Sequence, residues 1–112
     1  MQKIGLKDYE EIIKVVSLYT EGGNKSSAIM KPAFHKNATI NGEPIQTLFD
    51  VVDEKGETNS RARLDVLDVI NDIAVVRITM EGWHGQDFVD LHLLHKGADG
   101  WKIVAKVFTG LE

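Results

Sequence analysis

The chain contains no cysteine. That excludes disulfides and any thiolate-bound metal, and it leaves no trace of a redox compartment. No apolar run approaches the roughly 18 residues that a membrane-spanning helix needs. Lys and Arg form no cluster and the formal net charge is −4. A phosphate-binding face is normally basic, so nucleic acid is not an expected partner. The opening stretch "MQKIGLKDYEE" lacks the apolar core of a secretory signal, so the mature chain is expected to start here and to remain in the cytoplasm. A cytoplasmic chain would leave the "NAT" sequon at 37–39 unused. There is no internal repeat, linker or low-complexity segment.

What remains is the composition of an ordinary globular protein: 112 residues, 43% hydrophobic and 27% charged. This is one domain's worth of chain, expected to span 1–112 and long enough to bury a core without staples.

Residues 7–21, "KDYEEIIKVVSLYTE", carry apolar side chains at three- and four-residue steps and predict an amphipathic helix. Asp8 is the expected cap, with Glu11 completing a capping box, and Gly22–Gly23 the expected stop. "NKSSAIMKPAF" predicts a shorter helix capped by Asn24 or Ser26 and closed by Pro32. A short strand is expected around Ala38–Ile40, with a turn at Asn41–Gly42. Pro44 suits the first position of a third helix, whose face is Ile45, Leu48, Phe49 and Val52 and whose stop is Gly56.

From Ser60 the period changes from helical to alternating. "RARLDVLDVI", "IAVVRITMEGW", "DFVDLHLLHK" and "WKIVAKVFTG" predict four strands. The links at Asn71–Asp72, at Gly82–Gln86 and at "GADG" 97–100 are all short, which favours an antiparallel meander. Helices first and strands last predict an α+β fold.

The run "GWHGQDFVDLHLLHK", 82–96, holds three histidines and two aspartates. On a strand, His92 and His95 point to opposite faces, and no HExxH motif is present, so no metal site is expected. Asp90 and His92 share a face with Phe88 and Leu94. They sit roughly 7 Å apart along the strand, too far for a direct hydrogen bond without side-chain reach, yet placed to address one ligand. Alternation alone favours the opposite face, Val89, Leu91 and Leu93, as the core.

Taken in order, "LYTEGG", "MKPAFHKNATI", "GEPIQTLFD" and "DFVDLHLLHKGADGWKIVAKVF" resemble the putative lumazine-binding family, a branch of the nuclear transport factor 2-like (SnoaL-like) superfamily. The resemblance runs from about residue 8 to 109. It implies a cystatin-like cone, with a curved, mostly antiparallel sheet around N-terminal helices and a pocket between them. It also implies the reverse of the face reading. Phe88, Asp90, His92 and Leu94 turn inward with Trp101, Ile103, Ala105 and Val107. Val89, Leu91, Leu93, Val104 and Phe108 then form a convex apolar face suited to a homodimer, and Lys106 falls on that outer face. A bulge in the hairpin would invert this parity.

The resemblance implies a small-molecule ligand, with no cofactor expected; the lack of a long apolar run already argues against a membrane partner. The expected pocket residues are Phe34, His35, Phe49, Trp83 and Phe88. The expected chemical group is Asp90 as base or protonated donor, His92 as its acid–base partner and Tyr19 as a polariser of a carbonyl. Three functions stay open: a binding domain, a cofactor-independent isomerase, cyclase or dehydratase, or a dimerisation module. In the second, Asp90→Asn is expected to abolish turnover while stability stays unchanged. The related ketosteroid isomerases use a second pocket aspartate, and none is evident here.

Overall fold

The computed structural model describes residues 5–111. Its elements run α1 (Leu6–Asn24), α2 (Ser27–Met30), a 3-10 turn (Lys31–Ala33), β1 (Phe34–Ile40), β2 (Glu43–Pro44), α3 (Gln46–Lys55), β3 (Arg61–Ile70), β4 (Ile73–Trp83), β5 (Gln86–Gly97) and β6 (Gly100–Leu111). The strands form one mixed six-stranded sheet in the order β2-β1-β6-β5-β4-β3, so the fold is α+β. The four long strands pair antiparallel in sequence order, while β1 joins β6 in parallel. Among the described residues no helix is long and apolar enough to cross a membrane.

The core lies between one face of the sheet and the helices. Ile12, Val16 and Tyr19 of α1 and Phe49 and Val52 of α3 pack on Ala74, Val76, Ile78 and Met80 of β4, with Leu94, Trp101 and Ile103 beside them. These positions repeat at helical steps in the helices and at every second residue in β4, which is why the two periods read in the sequence meet here.

Several helix ends differ from expectation. Asp8 makes no cap. It lies in the first turn of α1 and accepts hydrogen bonds from Lys96 Nζ (2.9 Å) and Trp101 Nε1 (3.2 Å), so tertiary partners outcompete the local one. Gly22–Gly23 lie inside α1, which runs on to Asn24. Gly22 is there because α2 crosses it: a Cβ would fall 2.7 Å from Met30 Cβ. Neither Asn24 nor Ser26 caps α2 with its side chain. Asp53 of α3 does so, accepting from the Ser27 N–H (2.9 Å) and hydroxyl (2.6 Å). Pro44 belongs to the edge strand β2, not to α3, an edge position that tolerates its missing N–H.

Two of the sheet's bulges, in β4 and β6, re-aim the side chains that matter for the cavity. In β4, Met80 pairs with Phe88 and Trp83 with Gln86, so β4 carries one extra residue there. Gly82 takes φ 77° at this point and its N–H donates to Asp87 Oδ1 at 2.9 Å. A glycine in the left-handed region is the usual residue for such a bulge. In β6, Leu94 pairs with Ile103 but Leu93 pairs with Ala105, leaving Val104 as the extra residue.

Candidate functional site

A cavity of about 310 Å³ opens between the sheet and α3. Leu48, Val51 and Val52 of α3 face Met80, Trp83, Phe88 and Phe108 of the sheet across it. Tyr19, Asp90 and Lys106 supply a polar end. A mainly apolar hollow with a few convergent polar groups is the usual form of a small-molecule site.

The β6 bulge builds that polar end. Beyond Val104 the parity of the strand inverts, so Lys106 and Phe108 turn inward. Val107 turns out and is 57% exposed, whereas Lys106 is 3% exposed. The assignments of Lys106 and Phe108 to the convex face, and of Ala105 and Val107 to the inner face, are therefore corrected. Lys106 was missed because nothing in "KIVAKVF" signals a bulge, and unbroken alternation puts the lysine outside.

Three donors converge on one oxygen. The Tyr19 hydroxyl donates to Asp90 Oδ2 at 2.7 Å, Lys106 Nζ lies 3.2 Å from it, and His92 Nε2 lies 3.4 Å from it. None of these three reaches Oδ1. The Lys106 ammonium also sits 4.2 Å from the centre of the Phe108 ring and 5.3 Å from that of Tyr19, so two aromatic faces help to hold its charge.

Burial pushes the Asp90 carboxyl up. The His92 hydrogen bond, the Lys106 charge and the Tyr19 hydroxyl outweigh it, so the group titrates below the usual carboxylate range. Burial pushes the His92 imidazole down, with Asp90 only partly opposing it. A neutral His92 donates Nε2–H to Asp90, which leaves its buried Nδ1 without a partner. Burial likewise lowers the Lys106 amine against the pull of Asp90. Burial and the adjacent carboxylate raise the Tyr19 phenol well above its ordinary value, so it stays protonated.

The remaining sequence candidates divide. Trp83 and Phe88 line the cavity. The β4 bulge turns Trp83 inward, where its Nε1–H donates to the Gly23 carbonyl at 2.8 Å and ties the sheet to the end of α1. Phe34 and Phe49 are buried in the core, edge-to-face at 5.7 Å, with Phe34 also edge-on to Tyr19. His92 is fully buried behind Tyr19, ring centres 4.7 Å apart, so it supports the polar end from outside the cavity. His35 is exposed on β1, its Nδ1 accepting from the Asn37 N–H. Among the described residues no three His, Asp or Glu side chains are grouped to hold a metal ion.

Comparison with protein families matches residues 7–109 to the one described as putative lumazine-binding. Among solved structures, an NTF2-like protein of unknown function from Shewanella baltica OS155 is 32% identical, with 99% of each chain covered and a TM-score of 0.92. One from Methylobacillus flagellatus KT is 31% identical over 98% of this chain and 97% of that one, TM-score 0.86. A domain with a cystatin-like fold from Nostoc punctiforme PCC 73102, 17% identical, covers 97% of this chain and 80% of its own, TM-score 0.79, and shares the fold. Comparison with curated proteins finds no match.

Proposed function

The chain belongs to the putative lumazine-binding family, within the NTF2-like proteins, and from that premise we propose that it binds a small, flat, partly apolar molecule in the cavity between sheet and α3. The ligand's apolar body lies among Leu48, Met80, Trp83 and Phe88, and its polar edge meets Asp90, Tyr19 and Lys106.

The observation that carries this reading is the buried Asp90–Lys106 pair at the cavity's end. Replacing a buried ion pair with well-packed apolar side chains is often neutral or stabilising. Stability alone therefore gives little reason to keep a carboxylate and an ammonium here, whereas orienting a ligand does. The pair is also neutral overall, which suits an uncharged ligand offering both a donor and an acceptor, as a bicyclic lactam or imide does.

Acid–base chemistry at Asp90 is the second reading, and the 2.7 Å Tyr19 contact favours it. It ranks below binding because His92, the expected acid–base partner, is fully buried behind Tyr19 and does not line the cavity. The convex face supports a third element of the proposal, a homodimer. Leu91, Leu93 and Val107 are 44%, 51% and 57% exposed and lie side by side on β5 and β6, flanked by Val89 and Val104.

The test of binding uses intrinsic fluorescence. Of the two tryptophans, Trp83 lines the cavity and Trp101 is buried in the core. Titration with lumazine is expected to quench Trp83 saturably and raise the melting temperature by mass action. Trp83→Phe is expected to remove the quench while the thermal shift survives. Lumazine and a panel of uncharged bicyclic lactams that give neither signal at millimolar concentration would overturn the reading.

A further inference from the structure

Lys106 is the one described lysine withdrawn from solvent; the others are exposed or half-buried. Its amine points at the polar end of a cavity with apolar walls, 3.2 Å from a carboxylate oxygen that also holds the Tyr19 hydroxyl. We propose that Lys106 is a nucleophilic amine that captures the carbonyl group of a small ketone or aldehyde as a protonated imine paired with Asp90. The proposal rests on the cavity admitting small molecules and adds a covalent step to that reading.

The charge balance favours it. An ammonium enters the reaction and an iminium leaves it, so Asp90 faces one positive charge before and after. The net reaction buries no new charge, and the ion pair that the fold already accommodates is restored at its end. Lysine is the residue whose amine is most readily tuned by burial in this way, and desolvation is one of the routes by which enzymes activate it.

The protons have a place to go. Asp90 Oδ2 takes a proton from the Lys106 ammonium. The freed nitrogen lone pair attacks the carbonyl carbon, the C–N bond forms, and the carbonyl π pair moves to oxygen, which takes the proton back from Asp90. Asp90 then removes a second proton from nitrogen and delivers it to the hydroxyl, and the C–O bond breaks to release water. Nitrogen's lone pair closes the C=N bond, leaving the iminium against the carboxylate. The sum is ammonium plus carbonyl giving iminium plus water. Tyr19, 2.7 Å from the same oxygen, steadies the carboxylate through each exchange. The apolar walls restrict the water that would reverse it.

The experiment uses 4-phenylbutan-2-one with sodium cyanoborohydride at pH 7. That reductant delivers hydride to an iminium carbon and spares the ketone, so a captured imine becomes a stable secondary amine. Peptide mass mapping of the wild-type protein is expected to find alkylation at Lys106 about tenfold above any other described lysine, because among them only Lys106 lines the cavity that holds the ketone. Lys106→Arg keeps a cation beside Asp90 and is expected to abolish the modification.

The matching alcohol, 4-phenylbutan-2-ol, reports occupancy without chemistry. If the alcohol raises the melting temperature of the wild type but alkylation is absent or spread over surface lysines, the amine proposal fails and the binding reading stands. If neither compound shifts the melt and Lys106 stays unmodified, the amine proposal fails, and the lumazine titration alone decides the binding reading. Because the mapping is done on the wild-type chain, the result holds even if Lys106→Arg does not fold.

Discussion

Lys106 Nζ lies 3.2 Å from Asp90 Oδ2, and both side chains are almost wholly buried. A pair like this has two different stability costs. Breaking it strands a buried charge, whereas removing both halves strands nothing. Lys106→Met and Asp90→Asn are each expected to destabilise the fold by about 3–5 kcal/mol, while the double variant recovers to within about 1–2 kcal/mol of the wild type or exceeds it. Urea unfolding of the four proteins closes the cycle. Single variants of wild-type stability would show the pair to be solvated. The expectation that Asp90→Asn leaves stability unchanged suits a carboxylate at a wet surface, and burial removes its basis.

His92 gives the fold a dependence on pH. Burial depresses its imidazole in the folded chain below the ordinary 6.5. As pH falls through that value, the unfolded chain takes up a proton that the folded chain still refuses, so the unfolded state gains. The contribution of His92 is therefore fully present above about 6.5 and shrinks down to its depressed folded value, with a limiting slope of about 1.4 kcal/mol per pH unit for one proton. Asp90, also depressed, adds a second loss below 3.8. Urea midpoints measured from pH 7.5 to 5 are expected to fall in the wild type and to fall less in His92→Gln. An unchanged slope in the variant would place the titration elsewhere.

The fold was legible because its signals are local and additive. Alternation in "IAVVRITM" and helical steps in "EEIIKVVSLY" each repeat often enough to outvote exceptions, and the short links between strands leave little choice of topology. The resemblance of the whole ordered set then fixed which face is inner. The site was legible only in part, because a single extra residue decides it. Asp90, Tyr19, Trp83 and Phe88 reach the cavity on regular parity or on a glycine-marked bulge. Lys106 reaches it through a bulge at Val104 that no glycine announces. His35 and Phe49 could not be sorted by period, because each lies where an element begins or where the helix face is broad. Asp8 and Ser26 show the same limit at helix ends, where a distant lysine or aspartate displaced the local cap.

The convex face makes a separate prediction. Leu91, Leu93 and Val107 together leave more apolar surface in water than scattered side chains would, and a second copy is the proposed cover. Sedimentation equilibrium at micromolar concentration is expected to give twice the chain mass. Leu93→Arg is expected to give the monomer, with the fold's own stability within about 0.5 kcal/mol, since Leu93 is half exposed and lies outside the core. A wild type that sediments as a monomer would remove the dimer from the proposal.

Two adjacent glycines in α1 respond oppositely to the same substitution. Both lie inside the helix, where glycine costs about 1 kcal/mol relative to alanine. At Gly23 an added Cβ meets nothing closer than Trp83 Nε1 at 3.7 Å, an ordinary contact. Gly23→Ala is therefore expected to stabilise the fold by up to about 1 kcal/mol. At Gly22 the same carbon falls 2.7 Å from Met30 Cβ and 2.8 Å from Met30 N, so backbone would have to move. Gly22→Ala is expected to cost about 1–3 kcal/mol in spite of the better helix former, because overpacking a crossing between helices outweighs propensity. Paired thermal and urea unfolding of the two variants separates these effects. The same sign of change at both positions would mean that α1 and α2 are less closely packed than the Gly22–Met30 contact requires. It would also loosen the frame that holds Tyr19, three residues earlier on α1, against Asp90.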